Sequence, residues 1–246
     1  MKLINQFKQG KLIYINLMTN LAVYESSHYR WLTLNDTCQS IILKRQPTKL
    51  VLPHHYALML PLLFFIPKQV VILGLGGGNL NRFLFESNPD LNLTIIEQSP
   101  DIVDIYRAFF SPTPTNETII IRDAIDWLSQ EYLPEINWLI CDIFSKLEER
   151  QTLEKIISLV ICKQHQQIFS INIAGARSEE INRLLYALKT KCREGDIAYF
   201  NVPHYNNVVV HVMPAQLMNK PSFSSSMLTQ AIHRRWQSLW QHRRLI

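Results

Sequence analysis

The chain contains no long hydrophobic run. Its most apolar stretch, Tyr56 to Ile66, is about half of what a bilayer crossing needs, and Pro61 interrupts it. No secretory leader is expected, because Lys2, Gln6, Lys8, Gln9 and Lys11 break up any apolar segment near the start. Cysteine is sparse: four residues (Cys38, Cys141, Cys162, Cys192) lie far apart, with no CxxC pair and no His at zinc-ligand spacing. That pattern argues against a zinc finger and points to a reduced, cytoplasmic protein with unpaired thiols. Repeats and low-complexity tracts are missing as well. Glycine is scarce, yet four of the seven (Gly74, Gly76, Gly77, Gly78) fall in one five-residue stretch. Acid is lacking from the last 46 residues, which hold Lys220, Arg234, Arg235, Arg243 and Arg244. The first 200 residues carry 20 acids and 20 Lys or Arg, so the net +5 belongs to the C-terminal segment alone.

What remains is ordinary globular material, 246 residues at 47% hydrophobic, enough for one large domain with a smaller appendage. Residues 11 to 52 read as β-rich: Lys11-Leu-Ile-Tyr-Ile-Asn, Leu21-Ala-Val-Tyr and Trp31-Leu-Thr-Leu are short runs separated by polar turns. A small N-terminal domain over 1–52 and a larger one over 53–246 are therefore expected. After Pro67 strands alternate with helices: Val70-Val-Ile-Leu, Leu93-Thr-Ile-Ile, Thr118-Ile-Ile-Ile, Trp138-Leu-Ile-Cys and Gln167-Ile-Phe-Ser-Ile are the strands. This alternation implies α/β architecture with a parallel sheet covered on both faces. Ile197-Ala-Tyr-Phe and Val208-Val-Val-His-Val are close enough to pair as an antiparallel C-terminal hairpin. The whole order is that of a methyltransferase-like Rossmann sheet, mostly parallel.

The glycine cluster sits between the first of these strands and a helix start, where glycine allows a tight turn and close approach of a ligand. It does not fit the dinucleotide fingerprint, whose third glycine would fall on Asn79, and it has no P-loop Lys. Glu97 ends the second strand, where a carboxylate can accept from both hydroxyls of a ribose. Asp123, followed by Ala124, ends the third, where an Asp can accept from an adenine amino group. Plainer readings stand beside these: strand-on-helix packing for the glycines, a solvated strand end for Glu97, and a helix N-cap for Asp123.

Several segments, in order, carry a family resemblance: Leu32-Thr-Leu-Asn-Asp-Thr-Cys-Gln, Leu52-Pro-His-His-Tyr-Ala-Leu-Met-Leu, Leu73-Gly-Leu-Gly-Gly-Gly-Asn, Glu97, Asp123-Ala124 and Phe169-Ser-Ile-Asn. Together they resemble the spermidine synthase (polyamine aminopropyltransferase) family over most of the chain. The resemblance implies a nucleoside site for S-adenosylmethionine or its decarboxylated form, built from Gln39, Gly74, Gly76, Gly78, Glu97, Asp123, Ala124 and Asp142. It also implies that Tyr56 orients the attacking amine, and that a homodimer is the assembly. The family carries an Asp-Ser/Thr-Ser/Thr-Asp-Pro segment after the fourth strand, and its second Asp deprotonates the amine. Here Asp142 matches the first Asp, Ser145 stands in the catalytic place, Lys146 follows it, and no Pro closes the segment. A site for a cationic sulfonium and a diamine needs several carboxylates and a positioned base. The nucleoside half of the site is thus expected to be kept and the diamine half lost. Aminopropyl transfer would then need Asp142 or a bound water as its base, while methyl transfer and non-catalytic nucleoside binding remain as alternatives.

Three further features complete the reading. The His54-His55 pair lacks a third metal ligand at a zinc-type spacing, so junction packing or substrate contact is expected there and no metal. Tyr205-Asn-Asn-Val either lines the cleft mouth or forms a polar turn. Ile232, Trp236, Leu239 and Trp240 share one helical face, which predicts a terminal helix docked by its tryptophans. The alternative for that basic helix is a contact surface for nucleic acid, an anionic lipid or an acidic partner.

Overall fold

The computed structural model describes residues 7–111, 116–143, 150–163, 166–175, 178–192, 196–218 and 230–245. Four antiparallel strands come first, paired in the order of the chain: β1 (Lys11–Asn16), β2 (Leu21–Glu25), β3 (Tyr29–Leu34) and β4 (Thr37–Leu43). The β3–β4 hairpin turns on two residues, Asn35 and Asp36, both at positive φ (46° and 60°). Asn and Asp tolerate that region better than other side-chain-bearing residues, and the turn hand suits the strand twist. This hairpin sets the register that places Gln39 and Ser40 on β4.

A short helix, α1 (Pro53–Leu58), and a 3-10 turn over Leu60–Leu63 lead into the second sheet. Pro53 occupies the first turn of α1, where its missing N–H is no loss. The larger sheet contains β5 (Gln69–Leu73), β6 (Asn92–Glu97), β7 (Thr118–Ile121), β8 (Ile136–Cys141), β9 (Gln166–Ala174), β10 (Ile197–Asn201), β11 (Asn207–Val212) and β12 (Arg244–Leu245). Its spatial order is β12-β10-β11-β9-β8-β5-β6-β7. Strands β5 to β9 are mutually parallel, while β11 inserts antiparallel between β9 and β10. This is the expected Rossmann-type sheet closed by the expected hairpin.

Both faces of that sheet are buried, as the near-continuous apolar strands require. Along β5, Val70 and Ile72 join a core that also takes Leu21, Val23, Leu32 and Ile42 of the small sheet with Leu58 and Leu60. Val71 and Leu73 face the opposite way, against Trp127, Ile156, Ile157, Leu184 and Leu188. The N-terminal sheet therefore shares a core with one face of the Rossmann sheet. The predicted boundary at residue 52 is a change of architecture, with apolar packing continuous across it.

The terminal helix runs over Gln230–Gln241 and docks as its apolar face dictates. Trp236 is fully buried beside Phe83, with ring centroids 5.7 Å apart, and Trp240 lies 4.6 Å from Phe64. Three of the arginines lie over aromatic faces: Arg235 over Tyr56, Arg243 over Trp240 and Arg244 over Tyr199. Beyond the helix, Arg244 and Leu245 pair with Tyr199 and Ala198 and add the edge strand β12, which the sequence did not suggest. No helix among the described residues is long and apolar enough to cross a membrane. Cys38, Cys141 and Cys192 are free thiols.

Candidate functional site

The C-terminal ends of β5, β6, β7 and β8 open onto a cavity of about 720 Å³, and β4, α1 and β11 wall its other side. A cavity there is expected of a parallel α/β sheet, because the strand ends diverge where the connections switch sides. The volume suits a nucleoside-sized ligand.

The glycine loop forms one wall. Gly74 has φ +94°, and a Cβ there would stand 2.7 Å from the Asp142 carbonyl oxygen. Glycine is thus what lets the chain leaving β5 pass this close to the end of β8. Gly76 has φ +52°, and among the described residues a Cβ there would meet only Ser40, at 3.8 Å, so on that side the loop faces open space. Gly78 behaves differently from the expectation. It is absent from the cavity lining, and a Cβ there would lie 2.3 Å from the Tyr106 ring. Its role is close packing of the loop and its following helix on Tyr106, the plainer alternative for a glycine turn.

Arg82, which the sequence did not flag, holds the loop from behind. It is almost wholly buried and donates from Nη1 to the carbonyls of Gly77 and Phe110 (2.8 Å to Phe110), from Nε to Pro47 at 3.0 Å and from Nη2 to Asn79 Oδ1 at 2.8 Å. Burial pushes its guanidinium down to about 10, still cationic at neutral pH. A buried cation capping carbonyls fixes loop shape without reaching the cavity.

Glu97 ends β6 with its carboxylate against this loop. Oε2 accepts from the Leu75 N–H and Oε1 from the Ser99 N–H, both at 2.9 Å. Only 6% of the residue is exposed, and burial raises its pKa above the ordinary carboxylate value despite the backbone bonds that oppose the rise. Asp123 lines the cavity and also caps the following helix, its Oδ1 accepting from Ile125 and Asp126 N–H at 2.8 and 3.0 Å. The N-cap reading of Asp123 is what the structure shows, with the residue also on the cavity wall. Ala124 and Gln39 line the cavity as well, Gln39 donating to the Thr37 carbonyl at 3.2 Å.

Asp142, at the end of β8, is the centre of a polar chain. His55 Nε2 lies 3.3 Å from its Oδ2, and Asn172 Nδ2 donates to its Oδ1 at 2.8 Å. Asn172 in turn accepts from Asn207 Nδ2 at 2.9 Å. Burial alone would raise the Asp142 carboxyl, but the His55 bond and charge, with His54 and Asn172 added, hold it well below the usual carboxylate range. His54 sits edge-on to His55, with ring centroids 4.3 Å apart, and burial with the His55 charge pushes it down to about 3. The absence of a third metal ligand, expected from spacing, is corrected here. Asp142 offers an oxygen that lies with one nitrogen each of His54 and His55 within 4.8 Å of one another. Tertiary pairing across nearly ninety positions supplied what local spacing could not.

Tyr56 is the second correction. It does not line the cavity: its hydroxyl donates to the Leu50 carbonyl and its ring carries Arg235 at 4.5 Å. At about 100° per helical residue, a side chain two positions after His54 points to the opposite side of α1. Ser145 lies outside the described residues. Tyr205 and Asn206 lie in the polar turn between β10 and β11, and with Asn207 they also line the cavity, so both readings hold.

The sequence also missed His211. It is completely buried, Nδ1 accepting from Ser170 Oγ at 2.7 Å and Nε2 donating to the Ala57 carbonyl at 3.0 Å. Ser170 Oγ accepts in turn from Trp138 Nε1 at 2.8 Å. The ring ties β8, β9 and β11 to α1, the helix that presents His54 and His55. Only an alternation count on β11, placing a His among inward-facing valines, could have exposed it.

No protein-family model matches the chain. It is 34% identical over 118 residues to a polyamine aminopropyltransferase of Chromobacterium violaceum, covering 46% of this chain and 45% of that one. It is 33% identical over 107 residues to the polyamine aminopropyltransferase of Neisseria meningitidis, covering 42% and 41%. The match thus spans less than half the length of these curated relatives. Among solved structures, a probable spermidine synthase from Corynebacterium glutamicum superposes with TM-score 0.66 at 16% identity, over 91% of this chain and 84% of that one. A spermidine synthase in complex with the transition-state analogue AdoDATO gives 0.64 at 12% identity, over 92% and 84%. Human methyltransferase-like protein 13 in complex with SAH gives 0.56 at 16% identity, over 79% and 95%. The fold is therefore of the spermidine synthase and methyltransferase-like Rossmann type, and the sequence resembles polyamine aminopropyltransferases.

Proposed function

We propose that the chain is a spermidine synthase-like transferase that binds an S-adenosyl-type nucleoside in the cavity. The observation that carries this reading is Glu97, a buried carboxylate at a strand end, fixed by two backbone N–H groups beside a glycine loop whose Gly76 face is open. The carboxylate lines the cavity and has acceptor capacity beyond those two bonds, and paired ribose hydroxyls are donors that fit it. Asp123 and Ala124 would face the base, Gln39 would close the β4 side, and Asp142 would lie toward the reacting end. The ligand's sulfonium supplies an activated carbon; the protein's part is to hold that carbon in line with an acceptor and keep water out. Relatives named polyamine aminopropyltransferase and a neighbour solved with AdoDATO support aminopropyl transfer.

One observation favours methyl transfer as a second reading. Asp142, the carboxylate nearest the reacting end, is already engaged by His55 and Asn172 and offers little charge to a dicationic amine. Calorimetry with S-adenosylmethionine, its decarboxylated form and methylthioadenosine, followed by a product assay with putrescine, separates the readings. Preference for the decarboxylated form with release of methylthioadenosine establishes aminopropyl transfer. Preference for the carboxylated form points to methylation. Binding without turnover leaves a nucleoside-binding protein, and no binding of any of the three refutes the site.

A further inference from the structure

We propose that His54, His55 and Asp142 form a binding site for one divalent transition-metal ion of the zinc class, facing the cavity. Two imidazoles and one carboxylate are the donor set of open three-ligand sites, which leave a position for water or substrate. In a tetrahedral site with bonds of ~2.1 Å, donor atoms stand roughly 3.4 Å apart. His55 Nε2 and Asp142 Oδ2 are already 3.3 Å apart, and one donor from each of the three residues lies within 4.8 Å of the others. The remaining closure, a little over ~1 Å, is within reach of side-chain rotation.

A second, independent observation points the same way. His54 Nδ1 is buried and has no hydrogen-bond partner among the described residues. Buried polar nitrogens are almost always satisfied, and an orphan costs about 1–3 kcal/mol. The bare nitrogen belongs to the ring that stands beside the buried His55–Asp142 pair, and a ligand position left unfilled would leave such an atom. Outer support is also in place: Asn172 holds Asp142 through its other oxygen, as ligating carboxylates are commonly held. All three residues line the cavity, so the open position would face any bound acceptor. The proposal shares Asp142 with the nucleoside reading, and His55 Nδ1 lies 3.5 Å from Asn79 Nδ2 at the end of the glycine loop; His54 is the donor that belongs to the metal site alone.

The test uses the whole 246-residue chain, freed of metal with a chelator and then dialysed against zinc or cobalt. Zinc content should reach one equivalent per chain, and the cobalt form should show the visible absorption of low-coordinate cobalt, which aqueous cobalt lacks at comparable intensity. His54→Ala should weaken zinc binding at least tenfold; losing a side chain whose Nδ1 is unpartnered leaves the fold intact, which an unchanged Tm of the metal-free protein verifies. Asp142→Asn should weaken it similarly, and His204→Ala, at an exposed turn, should not. Methylthioadenosine binding, measured on the same His54 variant, reports separately on the nucleoside site. Less than a fifth of an equivalent of zinc on the wild type, or equal zinc affinity in wild type and His54→Ala, overturns the proposal in favour of a bare His55–Asp142 ion pair.

Discussion

Histidine 211 offers a quantitative check on how the site is held. Its ring is fully buried, uncharged and bonded at both nitrogens, and burial pushes it down to about 3. An unfolded histidine titrates near ~6.5. Between those values the unfolded chain binds a proton that the folded chain refuses, so stability rises with pH and is lost as pH falls below about 6.5. From pH 7 to pH 5 the loss assigned to this one residue is about 2 kcal/mol, and any folded value below about 4 gives nearly the same figure. The perturbation is His211→Gln, which keeps an amide donor and acceptor and removes the titration. Urea unfolding at pH 7 and pH 5, with chelator present, gives the pH-dependent loss for each protein. Other titrating groups, His54 among them, act on both and cancel in the difference. The wild type should lose about 2 kcal/mol more than the variant, equivalent to a Tm gap of roughly 4–8 °C for a chain of this size. Equal losses would refute the neutral, doubly bonded His211 and with it the tie between the sheet and α1.

Other consequences are open to direct measurement. Glu97→Ala removes the carboxylate proposed for the ribose and should weaken methylthioadenosine binding by about 1.5–3 kcal/mol, roughly 10- to 150-fold, in calorimetry; unchanged affinity would exclude Glu97 from the ligand site. Gly74→Ala forces a Cβ to 2.7 Å from the Asp142 carbonyl at a φ of +94°, so a loss of about 1–3 kcal/mol in denaturant unfolding is expected. Gly76→Ala meets no such contact and should act on ligand affinity more than Gly74→Ala does. Trp236→Ala empties the socket beside Phe83 and should cost about 3–5 kcal/mol, with the terminal helix losing amide-exchange protection first.

How much of this was legible beforehand follows from the range of the interactions. The sheet, its hairpin and the tryptophan-docked helix were readable because each rests on a local period: branched runs for strands, apolar positions three and four apart for the helix. Glu97, Asp123 and the glycine loop were readable because strand ends in this architecture converge by topology. Tyr56 misled because a motif gives a residue's address but not the direction of its side chain on a short helix. The His55–Asp142 contact, the Arg82 clamp and the His211 tie were invisible because their partners come from distant strands, and no pattern within a dozen residues encodes them. Gly78 illustrates the same limit in reverse: its place in the loop was readable, its packing partner Tyr106 was not.

The cavity wall draws on β4 at one end of the chain and β11 near the other, with α1 between them. Such a site is complete only after distant segments have met, and non-local pairings of that kind are slow to form. Ligand capacity then becomes a stricter gauge of integrity than helix or sheet content. A preparation that has collapsed with its secondary structure intact but with the small sheet undocked would pass inspection by far-ultraviolet dichroism, yet bind nothing.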